Sequence, residues 1–166
     1  MPAGERVVSN TSPLLNLALI DRLDLLETQF STVSVPEQVW SELVAGDAGT
    51  DELTRIRDRG VLDVVTVEES ELYREFRREL DRGEAAALAY ALEIDATLLL
   101  LDEREARAAA DRHDLPRTGA IGILLRGARN GSVDLREELD ALRAAGFWIS
   151  DDLYERALDL DPARDV

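Results

Sequence analysis

Short apolar runs that each lead into a polar residue constrain the fold of this chain more than any other feature. Residues 7–8 lead into Asn10, and the four leucines of residues 98–101 lead into Asp102. Strands buried in a parallel sheet read as continuous apolar runs of this kind. Helical patterns separate the runs, which predicts an α/β domain with a mostly parallel sheet. Sites in such sheets lie beyond the carboxyl ends of the strands, so Asn10 and Asp102 are candidate site residues.

The periodicity of the apolar residues predicts the individual elements. Strands are expected at residues 6–9, 31–35, 61–67 and 97–101, with a short edge strand at 115–118. A first helical region begins at Pro13 and breaks near Asp21, and a second begins at Pro36. Further helices are expected at residues 52–59, 70–80, 84–92, 103–112, 119–129, 135–145 and 151–158. We expect one domain over residues 1–166, with residues 133–166 as a helical extension packed on it.

The composition excludes several classes of protein and site. The chain has 166 residues, 45% hydrophobic and 33% charged, as is typical of a globular domain. The absence of cysteine excludes thiol catalysis and zinc–thiolate sites, and the single histidine, His113, is expected to be an ordinary helix-end residue. The absence of lysine argues against receiver domains and Walker-type P-loops. With no apolar run near the length of a membrane span and no signal sequence, we expect a cytoplasmic protein that does not contact membranes.

Four polar residues are candidates for a site that binds a hard cation, and each also has a purely structural interpretation. Asp102 follows the leucine strand and could equally cap the next helix. Glu84 stands at a helix start, where the helix dipole favours an acidic side chain. Glu42 has the position of a solvated helix residue, and Asn10, with Thr11 and Ser12 after it, could form a turn or cap. A hard-cation site needs several oxygens from separate elements, so none of these positions decides the matter alone.

Six motifs, taken in order, resemble the PIN-domain family of metal-dependent ribonucleases. The resemblance is narrower to the archaeal and bacterial branch related to the toxin nucleases of VapC-type toxin–antitoxin pairs. The motifs are Ser-Asn-Thr-Ser-Pro-Leu, Pro-Glu-Gln-Val, Gly-Glu-Ala, Leu-Leu-Leu-Asp, Thr-Gly-Ala-Ile-Gly and Ala-Gly-Phe-Trp-Ile-Ser, at residues 9–14, 36–39, 83–85, 99–102, 118–122 and 145–150. Each motif is weakly specific, but the ordered set covers nearly the whole chain.

The resemblance implies a three-layer α/β/α fold around a twisted, mostly parallel sheet, with an acidic pocket for one or two Mg²⁺ or Mn²⁺ ions. Matched by position, the catalytic residues are Asn10, Glu42, Glu84 and Asp102, and the metal ligands among them are Asn10, Glu84 and Asp102. Further expected pocket or RNA contacts are Ser12, Arg104, Glu105 and Arg107. The two arginines also have an alternative interpretation, as part of a solvated helix face with i,i+4 partners.

One position departs from the family pattern, because Asn10 stands where PIN nucleases generally carry aspartate. The exchange removes a negative charge from a site whose affinity for metal depends on the charge of its ligands. The leading hypothesis is hydrolysis of RNA phosphodiester bonds. The alternative is a catalytically weakened module that binds RNA or protein.

The resemblance also implies partners other than RNA. A cognate antitoxin and a homodimer are expected, because toxins of this type commonly have both. Phe147 and Trp148 could pack either at a dimer interface or in the core, and we favour the core.

The net charge predicts how stability depends on salt. The chain carries 35 acidic and 19 basic residues, for a formal charge of −16, and all 19 basic residues are arginine. Acidic residues spread along the whole chain suggest a protein of a high-salt organism, although an ordinary acidic protein has the same composition. We expect the protein to unfold as KCl is lowered from molar concentration to about 0.1 M, where screening weakens. Circular dichroism across that range measures this, and full stability at low salt would favour the ordinary acidic protein.

Overall fold

A computed structural model of the chain describes residues 5–161. The strands are β1 (Val7–Ser9), β2 (Val33–Pro36), β3 (Leu62–Val65), β4 (Leu98–Leu100) and β5 (Arg117–Thr118). The helices are α1 (Thr11–Leu19), α2 (Asp24–Gln29), α3 (Glu37–Ala45), α4 (Thr50–Asp58), α5 (Glu71–Phe76), α6 (Arg82–Glu93), α7 (Arg104–Arg112), α8 (Ala120–Arg129), α9 (Leu135–Ala144) and α10 (Asp151–Asp159). Within residues 5–161, every helix is too short or too polar to cross a bilayer.

The five strands form one sheet in the order β3-β2-β1-β4-β5. All of its pairings are parallel, so the predicted α/β class is confirmed. β2 lies on one side of β1, and β3 lies beyond β2. The chain then crosses to the other side of β1, where β4 pairs with β1 and β5 pairs with β4. The order therefore reverses between β1 and β4, where Ser9 pairs with Leu100. A crevice opens at such a switch point, beyond the carboxyl ends of the two strands.

Helices cover both faces of the sheet and give the expected three layers. Successive residues of a strand point to opposite faces. Val7 belongs to one buried cluster, which also contains core residues of α1, α2, α8, α9 and α10. Val8 belongs to the other, which contains core residues of α5, α6 and α7. Alanines that are buried in α6 allow this helix to lie close to the sheet.

The C-terminal helices pack on the first of these clusters. Leu139 of α9 and Leu158 of α10 are buried there. Arg22, which precedes α2, forms an ion pair with buried Glu138 of α9 at 2.7 Å. The segment between the two helices corrects one expectation. Phe147 packs against the cluster, but Trp148 is 82% exposed, so its assignment to the core was wrong.

Several element boundaries differ from the predicted ones for local reasons. The first helix begins at Thr11 rather than Pro13, and its predicted break is confirmed by the left-handed backbone of Asp21, with φ of 58°. The helix predicted over residues 70–80 spans only Glu71–Phe76. A new helix begins soon afterwards, because Asp81 caps α6. His113 is the exposed C-cap of α7, as expected of a helix-end residue.

Candidate active site

Asn10 lies at the end of β1, on the switch point. Its backbone N–H donates to the carbonyl of Leu100 at 3.0 Å, which extends the β1–β4 ladder by one bond. The residue occupies the N-cap position of α1, but its side chain makes no capping hydrogen bond. Asn10 is 2% exposed, and its buried Oδ1 has no hydrogen-bond partner among residues 5–161. Since buried polar atoms are nearly always paired, this oxygen is available to a ligand.

Asp102 follows β4, on the other side of the switch point. Its carboxylate accepts the backbone N–H of Ala120, the first residue of α8, at 3.1 Å, and the side-chain amide of Asn16, also at 3.1 Å. Glu103, not Asp102, is the N-cap of α7, so the capping interpretation of Asp102 was wrong. Burial raises the pKa of Asp102, and the hydrogen bonds from Asn16 and Ala120 oppose that rise.

Two glycines let carboxylates lie against the first turns of helices. A Cβ at Gly119 would lie 2.1 Å from Oδ1 of Asp102, next to the start of α8. A Cβ at Gly83 would lie 2.7 Å from Oε1 of Glu42, next to the start of α6. Any larger residue at either position would force the carboxylate or the helix to move. The glycines of the motifs at 83–85 and 118–122 thus have a direct structural role in the site.

Glu84 is buried in the first turn of α6. It forms a reciprocal capping box with Asp81: the N–H of Glu84 donates to Oδ1 of Asp81 at 2.8 Å, and the N–H of Asp81 donates to Oε1 of Glu84 at 3.0 Å. Glu84 is only 8% exposed. Burial raises its pKa to about 7, the bond from the Asp81 N–H opposes this, and the charges of Asp81 and Glu103 add to it.

Hydroxyl groups of α1 hydrogen-bond to two further acidic residues, Glu42 and Glu103, and so connect them to this site. Thr11 Oγ1 donates to Oε2 of Glu42 at 2.8 Å, and Ser12 Oγ donates to Oε1 of Glu103 at 2.6 Å. Glu42 is exposed, as expected of a solvated helix residue, but the bond from Thr11 and its contact with Gly83 hold it beside α6. The charge of Glu103 raises the pKa of Glu84 and of Asp102, so Glu103 lies near both.

Sequence reasoning missed two members of the site, Asn16 and Glu103. Asn16 follows Ser12 by four residues, and this i,i+4 spacing in a helix was a usable signal. Glu103 had only its adjacency to Asp102 as a signal. The hydrogen bonds from Asn16 to Asp102 and from Ser12 to Glu103 come from α1, whose position over the sheet is a tertiary property.

A cleft of about 820 Å³ opens beside Asp102. Its lining is basic and aromatic as well as acidic, and includes Arg104, Arg107, Phe147 and Trp148. Glu105 is exposed in the first turn of α7 and does not line this cleft.

A family model described as a PIN domain matches residues 6–161. The chain belongs to the PIN-domain family. A search among curated proteins gives no match. The resemblance deduced from the ordered motifs is therefore confirmed, and the five-stranded parallel sheet agrees with it. PIN domains are typically metal-dependent nucleases, and they generally use divalent metal ions.

The donor atoms of this PIN domain are suited to a hard cation. No three His, Cys, Asp or Glu side chains within residues 5–161 are grouped so that they could hold a metal by themselves. The predicted ligands Asn10, Glu84 and Asp102 include only two carboxylates, and the third predicted donor is the unpaired Oδ1 of Asn10. An all-oxygen set of two carboxylates and one amide is chemically appropriate for Mg²⁺ or Mn²⁺.

The raised pKa of Glu84 predicts how pH affects the stability of the metal-free protein. Folding raises this pKa from 4.5 to about 7, so the folded state holds the proton more tightly, and stability falls as pH rises through that interval. Glu84→Gln removes the buried charge and retains an acceptor for the Asp81 N–H. In EDTA at about pH 8, the variant should be more stable than the unmodified protein by on the order of 1–3 kcal/mol, or a few degrees in Tm.

The control is Glu93→Gln, which makes the same charge change at an exposed position of α6. Differential scanning calorimetry of all three proteins at about pH 4.5 and pH 8 measures the effect. The Glu84→Gln advantage should largely disappear at the lower pH, where Glu84 is protonated in the folded state and about half protonated in the unfolded chain. An advantage that is equal at both pH values, or that is shared by Glu93→Gln, would contradict the pKa assignment.

Proposed function

We propose that this PIN domain is a metal-dependent endoribonuclease that hydrolyses phosphodiester bonds in RNA. The observation that supports this most is the buried, unpaired Oδ1 of Asn10 at the switch point of the sheet. Asp102 comes from the neighbouring strand, and Glu84 comes from the helix packed over both. Oxygen donors on three separate elements are the usual construction of a hard-cation site.

Each side chain of the site has a role in this reaction. Asn10, Glu84 and Asp102 hold Mg²⁺ or Mn²⁺. When bound, the ion supplies Lewis-acid activation of water and neutralises charge that develops on the phosphate. The N–H groups of Ala120 and Asn16 fix the orientation of the Asp102 carboxylate. Glu42, held by Thr11, orients the attacking water.

The basic residues of the cleft give the RNA a place beside the acidic residues. Arg104 and Arg107 line the cleft together with Asp102, and Ser12 lies at its edge. Arginine is well suited to phosphate because its planar group donates several hydrogen bonds. We further propose that the protein acts in the cytoplasm as the toxin of a toxin–antitoxin pair, as a homodimer, with the antitoxin encoded next to it.

A second candidate function is a PIN-like binding module that no longer cleaves RNA. Asn10 is the observation that favours it, because the amide supplies no negative charge to the metal. The two functions predict different responses to restoring an aspartate at this position.

Loss of Asp102 should abolish ribonuclease activity. With about 1 mM Mn²⁺ in molar KCl, Asp102→Asn is expected to lower the rate of RNA cleavage by about 100-fold or more, because a charged metal ligand becomes neutral. Asp63→Asn makes the same change at an exposed position on β3 and should leave the rate unchanged. Cleavage of a labelled RNA, followed on gels, measures both. Equal activity of Asp102→Asn and the unmodified protein would refute the ribonuclease assignment.

Restoring the aspartate should strengthen metal binding. Asn10→Asp is expected to lower the Kd for Mn²⁺ by about tenfold, because affinity for a hard cation rises with the charge of its ligands. Without metal the same variant should be less stable than the unmodified chain, since the new charge is buried. Asn130→Asp, at an exposed helix end, is the control for net charge. Isothermal titration calorimetry measures the affinities, and binding by the Asn10→Asp variant alone would favour the binding module.

A further inference from the structure

Trp148 is the most exposed of the large hydrophobic residues that the structure describes. It is 82% exposed, whereas the other tryptophan, Trp40, packs against the core with the Arg57 guanidinium 4.9 Å from its ring. An aromatic ring left in water is a common mark of a binding surface. The exposure of Trp148 has no role in the fold itself, since Phe147 beside it already packs on the core cluster.

The backbone on both sides of Trp148 is held in place. Gly146 adopts a left-handed conformation, with φ of 101°, and turns the chain at the end of α9. The N–H of Phe147 then donates to the carbonyl of Leu142 at 3.0 Å, and Arg143 donates to the carbonyl of Ile149 at 2.9 Å. The segment that carries the indole is therefore conformationally restricted, so less entropy is lost when a ligand packs on the indole.

The cleft that Trp148 lines also contains two arginines, Arg104 and Arg107, that form no salt bridge with another described residue. Among residues 5–161 neither of them has an ion-pair partner, although the charge of Arg107 acts to lower the pKa of Asp102 and of Asp111. Arg117, the third arginine of the cleft, is paired with Asp111 at 2.8 Å. Three guanidinium groups thus line one cleft, two of them outside any ion pair of the described residues, and each can donate hydrogen bonds to an anionic ligand.

We propose that Trp148 is a base-stacking residue of this cleft: one base of a single-stranded RNA packs on its indole, and the adjacent phosphates contact Arg104 and Arg107. This inference rests on the proposed ribonuclease function, because Asp102 lines the same cleft. A single strand exposes both anionic phosphates and the flat faces of its bases, and it is bound by basic grooves that carry aromatic residues. A duplex conceals its base faces, so it cannot stack on Trp148. A protein partner on the same surface is a separate outcome of the test below.

Binding measured without cleavage tests this directly. Fluorescence anisotropy of a labelled single-stranded RNA, titrated with the full chain in EDTA, gives the Kd. Trp148→Ala should weaken binding by about 10-fold or more, and Trp148→Phe, which keeps an aromatic face, by less than about 3-fold. Leu160→Ala, which removes another exposed hydrophobic side chain outside the cleft, should have no effect. A blunt RNA duplex should bind more weakly than the single strand.

The contacts of the arginines with phosphate can be tested separately, through the salt dependence of the RNA affinity. Arg104→Ala should lower the slope of log Kd against log[KCl] by about 0.7, the amount expected for one lost phosphate contact with a single strand. Arg129→Ala is the matched control, since Arg129 is exposed on α8 and lies outside the cleft. Equal slopes for both variants would overturn the assignment of Arg104.

The tryptophan itself provides a direct readout. Because the chain has two tryptophans, Trp40→Phe leaves Trp148 as the only one, and stacking of a base should quench its fluorescence at saturating RNA. Unchanged emission, no binding by the unmodified chain, or Trp148→Ala binding as tightly as the unmodified chain would overturn the proposal. So would a loss of dimers in Trp148→Ala with RNA binding intact, because Trp148 would then serve a protein interface.

These outcomes are separate from those of the cleavage assay. RNA binding and quenching of Trp148 fluorescence without any RNA cleavage would support the stacking role of Trp148 and refute the ribonuclease function. A kcat/KM for RNA cleavage by Trp148→Ala equal to that of the unmodified chain would support the ribonuclease function and refute the stacking role of Trp148.

Discussion

The parallel pairing of β1 with β4 is the constraint on which the rest of the structure depends. Both strands have their other edge occupied, β1 by β2 and β4 by β5, so the reversal of strand order falls between them. The ladder continues past the last paired residues through the bond from the Asn10 N–H to Leu100. It therefore holds Asn10 and Asp102 side by side where the strands end, and the crevice between the diverging helices opens above them.

Burial disfavours the charged forms of Glu84 and Asp102, and the fold tolerates this through its helix termini. Asp102 accepts from the first N–H of α8, and Glu84 takes part in the capping box of α6. These positive helix ends stabilise the carboxylates but do not neutralise them, since burial still raises the pKa of both. The close approach depends on Gly83 and Gly119, where a side chain would collide with a carboxylate.

Much of the fold could be predicted from the sequence, because its signals are local. The leucine run at residues 98–101, the alanines of α6 and the break at Asp21 each reveal their conformation within a few residues. The alternatives that the sequence left open were decided by longer-range partners. Ser12 could have capped a helix, but its hydroxyl donates to Glu103; Asp102 could have capped α7, but it accepts from α8. Trp148 was assigned to the core because its hydrophobicity says nothing about which way the chain turns at Gly146.

The sequence by itself determined the class of fold and the family, because apolar periodicity and the order of the motifs are properties of the chain alone. It also placed the departure from the family pattern at Asn10. Only the tertiary structure decided which donors are buried, which are paired and what lies beside them. The unpaired Oδ1 of Asn10, the hydrogen bond from Asn16 to Asp102 and the cleft shared by Arg104 and Trp148 all join residues far apart in the chain. Such juxtapositions depend on how helices pack over a sheet, and local sequence carries no record of that packing.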